Sequence, residues 1–550
     1  MEAFIYDRLK NLRDSELISF HMPGHKYGKV FDELGYGDIM KELYTLDTTE
    51  IIGTDNLHNP KDVILKSQEK VRKILFPDYD DIEVRYLVNG STCGIEAAIM
   101  AVCRPGDKII INRACHQSAY NGCIMANAHP IFVNERVDKE NNIFLGAEID
   151  EYLEQIEKNK DAKAVFITRP TYHGMSFRIS EVIKKAHEYK MVVIVDEAHG
   201  AHFGLNSKFP KSAIEYGADI AIQSIHKSLP AITQTSIMII NDNIIEKKIA
   251  RDDAVTKQYN PGGVDLEEVS KEESAMYQNT DIIDIKEPEY SRLVDKNRLD
   301  RVLAMTESSS PSYIMMMSLE IAFDIYENHG KKLMDELLNN IYVFRKNVKS
   351  YEIFNTTDPT KIFINTIKKG INGYDFAKVL RYRYNIQVEL ANYSGILMLC
   401  TIGNKKSDFD SMLDALEEIS EKKLFGLNLD FFDDIDDATK KKKNDDIKRM
   451  TTSKQINLDF PCIIPEIKIE PNKAFNMETE SVPIDEALGK ICGEFVIPYP
   501  PGVCLVAPGE VIESDVIEFI KSAAKMEVDI NGMESAEFTN IQIIKNEESH

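Results

Sequence analysis

The sequence predicts an α/β fold: a large domain around a mostly parallel, seven-stranded sheet, followed by smaller α+β domains. Three observations carry this expectation. Seven short runs rich in Val and Ile occur between residues 83 and 240. Several of these runs are apolar almost throughout, as strands buried on both faces must be. Helix-like segments separate several of them, the alternation of a sheet covered by helices.

Taken in order, residues 1–59 read as an N-terminal arm that walls a site, and residues 60–305 as the large domain. Its expected strands are EVRYLV (83–88), KIIIN (108–112), PIFV (130–133), KAVFIT (163–168), MVVIVD (191–196), DIAIQ (219–223) and SIMII (236–240). A helix is expected over Ser91–Arg104, where hydroxyl residues after Gly90 suit an N-cap. Another is expected over Ser180–Lys190, opened by Ser180 as a plausible cap. Residues 251–297 are polar, carry the turn Asn260–Gly263, and read as an inserted surface excursion. Residues 306–432 form a small α+β domain. The charged, low-complexity stretch 433–456 reads as a mobile linker. A last domain spans 457–550, with IPYPPGVCLVAPGE (497–510) too proline-rich for regular structure.

Composition narrows the function classes. The chain has 550 residues, 43% of them hydrophobic, ample for several cores. No apolar run is long enough to cross a membrane as a helix. The first twenty residues carry charges throughout and lack an apolar stretch, so a secretory signal is not expected and a cytoplasmic location is. The eight cysteines include no C-x-x-C pair and read as scattered buried thiols in a reducing compartment. A net charge of −24 argues against nucleic acid and anionic membranes as partners. It would concentrate a cationic substrate, although solubility alone also accounts for it.

Four features follow one another along the large domain. Asn89-Gly90-Ser91-Thr92 joins a strand to a helix, where free N–H groups and hydroxyls can hold an anion; a plain helix cap is the other reading. His116 follows the strand KIIIN and could stack on a flat cofactor, or be an ordinary core histidine. Asp196 ends MVVIVD, where ligands bind to such sheets, and would need a cationic partner or serve as a turn cap. Lys227 follows DIAIQ-Ser224 in an apolar setting, where desolvation could free a neutral amine for Schiff-base chemistry; an exposed loop lysine is the bland alternative. Phosphate turn, stacking histidine, strand-end acid and lysine, in that order, are the arrangement of a fold-type I pyridoxal-5'-phosphate (PLP) enzyme.

With these motifs in view, the chain resembles the Orn/Lys/Arg decarboxylase family, in the short form without an N-terminal wing domain. The resemblance rests on FHMPGHKYGK (20–29), DTTEIIGTDNLHNP (47–60), LVNGSTCGIEAAIMAVCRPGD (87–107), RPTYHG (169–174), VDEAHGAHFG (195–204), QSIHKSLPAITQTS (223–236), SSSPSYIMMMSLE (308–320), DPTK (358–361) and IPYPPGVCLVAPGE (497–510). It implies PLP-dependent α-decarboxylation of a basic amino acid, arginine or lysine before ornithine, by at least a homodimer. It makes Lys227 the Schiff-base lysine, Asp196 the partner of the pyridinium nitrogen, and His116 and Ala198 the two faces around the ring. Ser91, Thr92, Ser224 and His226 would serve the phosphate. His199 and Thr171 would border the cofactor. His25, Glu50 and Asp55 would help wall the site, and Glu510 matches the last motif without an assigned role. In RACHQS, Ala114 and Gln117 depart from the usual Asn and Lys beside the stacking histidine.

Other readings are weaker. DEAHG resembles a helicase box, but the nearest phosphate-loop candidate, Gly24–Val30, has the wrong spacing and ends in Val. His199 and His202 could ligate a metal, but no third and fourth ligand is evident, so no metal is expected. Another PLP reaction, transamination or elimination, would share the same lysine, acid and phosphate cup. A non-catalytic regulator on the same fold would not need Lys227, Asp196 and His116 intact.

Overall fold

The computed structural model describes residues 4–241, 293–421, 464–499, 502–526 and 528–545. The seven expected strands all form: β1 (Ile82–Leu87), β2 (Lys108–Asn112), β3 (His129–Val133), β4 (Ala164–Thr168), β5 (Val192–Asp196), β6 (Ile220–Ser224) and β7 (Ser236–Asn241). They make one sheet in the order β1-β7-β6-β5-β4-β2-β3. Every pairing is parallel except those of β7, which runs antiparallel to both β1 and β6. This reversal has a local consequence. Ser236, the first residue of β7, lies opposite Leu87 and Ser224, the last residues of its neighbours. The start of β7 therefore joins the edge where the parallel strands end.

Both sheet faces are covered, which explains the unbroken apolar runs. Ile109 and Ile111 of β2 pack with helices α1 (Gly90–Val102) and α2 (Gln117–Ala126), whereas Ile110 between them packs with α3 (Ser180–Glu188) on the other side. A further cluster joins β1 and β7 to the long helix Tyr313–Asn347 and to a second, antiparallel sheet. That sheet consists of β8 (Glu352–Phe354), β9 (Lys361–Asn365), β10 (Leu390–Ala391) and β11 (Gly395–Leu399), in the order β8-β9-β11-β10. Near the N-terminus, Ile18–Phe20 pairs in parallel with Ile386–Val388. The last residues have their own core, around which Thr479–Pro483 pairs with Asn540–Ile544.

Several expectations change. The helix after β1 is not capped by hydroxyls: its N-cap is Asn89, no side chain caps it, and Ser91 turns its hydroxyl to Ser224 instead. Ser180 is the first helical residue of α3, behind an uncapped Ile179. The proline-rich stretch does contain regular structure, since Ile497–Tyr499 pairs with Asp529–Asn531. The polar excursion, expected to run to residue 297, ends earlier. Val294 is already buried, and a helix over Lys296–Thr306 is N-capped by Asp295, whose side chain accepts from the Arg298 N–H. The rest of that excursion, and the linker at 433–456, lie outside the described residues. The seven described cysteines are all buried and unpaired. No described helix is long and apolar enough to cross a membrane.

Candidate active site

The parallel strands end along one edge, and the chemistry-bearing side chains gather there. Lys227 stands three residues beyond β6, on the one-turn helix Ile225–Ser228. Its Nζ lies 3.2 Å from Nε2 of His199. Burial pushes its amine below the usual lysine pKa, against the opposing pull of Asp196 and Glu389. Asp196 ends β5 and is buried. Its Oδ1 accepts from the Ala198 N–H at 3.0 Å, while its other oxygen takes no hydrogen bond among the described residues. Burial raises the pKa of this carboxyl and Lys227 lowers it. A buried carboxylate with one open oxygen needs a cation or an N–H donor.

Beside the lysine is a cup of hydroxyls. Ser91 hydrogen-bonds Ser224 and lies 3.4 Å from Ser236, and all three are buried. They surround the uncapped N-terminus of α1, whose first N–H groups have no partner within the helix. Gly90 permits the turn, with φ of +79° that a side chain would strain. Glu307 steadies it from behind, accepting from the Asn89 N–H at 3.1 Å and from the Cys93 thiol at 3.0 Å. Ser236 was not singled out in the sequence. Only the antiparallel pairing of β7 brings it here, and the motif QTS gives no sign of that. Thr92 is exposed on the first turn of α1 and makes no bond within the cup.

His116 caps α2, its Nδ1 accepting from the Ser118 N–H at 3.2 Å, and its side chain is exposed at the site's rim. Desolvation of the ring and then Lys227 push its pKa down to about 4. The ring is therefore neutral and anchored at one edge. Its backbone pairs with Val503 in the C-terminal unit. Glu510 makes a second tie from the same unit. Its carboxylate accepts two hydrogen bonds from Arg113, at 2.5 and 2.9 Å, and one from the Ala507 N–H at 2.8 Å. Arg113 and Glu510 are both buried, and Arg113 is three residues before His116. The final motif thus fixes the loop that carries His116.

The N-terminal loop closes over the lysine. Gly24 donates its N–H to the His226 carbonyl at 2.7 Å, and a side chain at Gly24 would sit 2.5 Å from the Leu229 carbonyl oxygen. His226 bonds the Thr235 carbonyl through Nδ1 at 2.9 Å, so it holds its own loop. His25 stacks on Phe31 and accepts from the Gly28 N–H, and burial pushes its pKa down to about 4. Two residues to which the sequence assigned no role also belong here. Glu389 accepts from the Tyr172 hydroxyl at 2.7 Å and from the Met22 N–H at 3.0 Å, joining three segments beside the lysine. Lys361 reaches Nδ1 of His199 at 3.1 Å. The DPTK motif marked Lys361, but nothing in its spacing indicated a partner.

Asp55 and Glu50, expected to wall the site, and Thr171, expected to border the cofactor, all make local bonds. Asp55 accepts N–H groups of Asn56, Lys61, Asp62 and Ile64 and so starts the helix Val63–Leu75. Glu50 accepts from Asn56 and Leu57 within its own loop. The Thr171 hydroxyl donates to the Phe144 carbonyl and accepts from the Met175 N–H, which shapes the turn carrying Tyr172.

These residues fit PLP. The open oxygen of Asp196 suits a pyridinium nitrogen, the hydroxyl cup and bare helix end suit a phosphate, and the neutral edge-anchored His116 suits a ring face. Comparisons with known proteins point the same way. The family model for the Orn/Lys/Arg decarboxylase major domain matches residues 4–260 and 250–363, and that for the C-terminal domain matches residues 454–544. An arginine decarboxylase of Bacillus subtilis is 28% identical over 100% of this chain and 99% of its own. A B. subtilis protein named YaaO is 31% identical, covering 94% and 92%. The lysine decarboxylase LdcF of Francisella novicida shares the fold, with a TM-score of 0.68 and 18% identity, over 96% of this chain and 79% of that one.

Proposed function

From the premise that this chain belongs to the Orn/Lys/Arg decarboxylase family, we propose that it removes the α-carboxylate of arginine, with lysine and then ornithine as the next candidates. The products would be carbon dioxide and agmatine, cadaverine or putrescine, which makes the chain a source of polyamine precursors. The observation that carries the reading is Asp196: a buried carboxylate with one unpaired oxygen, close enough to Lys227 for each to shift the other's pKa. The full-length match to an arginine decarboxylase supports arginine over the other two.

When bound, PLP supplies an electron sink for the bond that breaks at the substrate's α-carbon. The chain's own groups do the rest. Asp196 holds a proton on the ring nitrogen's side of the site and keeps that sink deep. Ser91, Ser224 and Ser236, with the N-terminus of α1, hold the phosphate and set the cofactor's position. His116 and Ala198 are the residues that would pack against the cofactor's ring. Lys227 would be the residue that holds the cofactor, and its amine would then be placed to give a proton to the α-carbon; His199, 3.2 Å away, is the group that could recharge it. The loop at Gly24 and the Glu389–Tyr172 pair close the side of the site nearest Lys227. The Glu389 carboxyl, near enough to act on Lys227, is the group that would meet a cationic substrate.

We place the enzyme in the cytoplasm as at least a homodimer, because sites of this fold type form between subunits. The test is carbon dioxide release from arginine, lysine and ornithine, with Lys227→Ala as the control. The wild type should prefer one of the three, and the variant should be inert and carry no borohydride-fixed cofactor. Turnover by Lys227→Ala would overturn the assignment of that lysine. Activity on none of the three substrates would overturn the reaction.

A further inference from the structure

Lys361 is buried to 1% exposure, yet among the described residues no carboxylate lies within ion-pair distance of its Nζ. Its side-chain hydrogen bond goes to His199. That ring is held between two amines, with Lys361 Nζ 3.1 Å from Nδ1 and Lys227 Nζ 3.2 Å from Nε2. Donor counting constrains this arrangement. A neutral imidazole has one N–H and one lone pair, and an ammonium can only donate. The ring can accept from one ammonium, at one nitrogen. At the other it must donate, and the group there must be a neutral amine. A doubly protonated ring would satisfy two neutral amines, but burial, together with Lys227 and Lys361, holds the His199 pKa well below its usual value.

We propose that Lys361 and Lys227 share a single proton through His199, with Lys361 holding the charge so that the Lys227 amine stays neutral. The inference rests on Lys227 being the cofactor lysine. The groups facing the array are Asp196 at the end of β5, Glu389 before β10 and Asp358 before β9. Lys26, Cys400, His116, His173, His226 and Tyr172 also face it. Asp196 draws charge towards Lys227, and a pyridinium that matched Asp196 would remove that pull. Burial lowers the Lys361 pKa to about 8, while Glu389, Asp358 and the face of Tyr172, whose ring centre is 5.9 Å from Lys361 Nζ, favour charge on it. Proton transfer conserves charge. Lys361 gives a proton to Nδ1, the ring passes its Nε2 proton to the Lys227 amine, and solvent later reprotonates Lys361. Lys361 is thus a positioning residue that acts through His199.

The experiment measures the pH midpoint for acylation of the Lys227 amine in the full-length chain freed of cofactor, by peptide mass spectrometry. Lys361→Met removes the competing ammonium and should raise the midpoint by about one unit or more. Lys361→Arg keeps a permanent donor at Nδ1 and should leave the midpoint at or below that of the wild type. Equal midpoints in all three, or a rise in Lys361→Arg, would overturn the proposal. If Lys361→Met does not fold, His199→Leu serves instead. It breaks the array, so adding Lys361→Arg should then leave the midpoint where it was, and a further shift would overturn the proposal. Borohydride reduction of the wild-type holoenzyme separates the two claims, because a pyridoxyl group mapped to another lysine would refute the premise and not the proton sharing.

Discussion

At the scale of single residues, the site depends on charges placed where water cannot reach them. Asp196→Asn keeps the shape and removes the charge that meets the pyridinium. We expect kcat to fall roughly 10²-fold or more, with a smaller change in KM, measured by carbon dioxide release. Acid sensitivity has a residue-level source too. His173 is 2% exposed, and neither ring nitrogen has a partner among the described residues. Burial pushes its pKa from 6.5 down to about 3. The unfolded chain therefore takes up a proton on this ring below pH 6.5 that the folded chain refuses. The stability tied to it is full above pH 6.5 and is lost as pH falls towards 3. The urea midpoint should be lower at pH 5 than at pH 7, and His173→Leu should shrink that difference. Lys227, Asp196 and His116 stand out in the sequence because each lies at or just beyond the end of an apolar strand. Glu389 and Lys361 were not, since a carboxylate or lysine beside an ordinary strand gives no sign of what it will face.

At the scale of elements, the seven strands could be read from composition, because burial on both faces leaves nearly unbroken apolar runs. Their order could not, nor could the reversed direction of β7, which is decided by pairing between distant segments. Ser236 was missed for that reason alone. Asp55, Glu50 and Thr171 make local bonds that their motifs do not announce, since a motif does not show whether a residue faces a site or holds a turn. The C-terminal motif is the clearest case of an element with a structural task. Glu510→Gln would leave the buried Arg113 without its counter-charge, at a cost of about 3 kcal/mol or more. Unfolding in urea should show this, and the double variant Arg113→Met/Glu510→Gln should recover much of the loss. Because Arg113 precedes His116 by three residues, Glu510→Gln should also weaken cofactor retention on dialysis.

At the scale of the whole molecule, the net charge of −24 surrounds a site meant for a cation. Raising ionic strength should therefore raise KM for arginine and leave kcat nearly unchanged. Steady-state rates at low and high salt decide it, and a KM indifferent to salt would assign the charge to solubility alone. The contact of Glu389 with Met22 has a different consequence. It spans 367 positions, and Glu389 also holds Tyr172 on a third segment. Distant pairings of this kind form late, after the local helices and hairpins. The pocket around Lys227 is then completed only when the two halves of the chain have found each other. During refolding the visible imine band should lag behind the far-ultraviolet helix signal, so the cofactor acts as a clock that starts when the chain closes on itself.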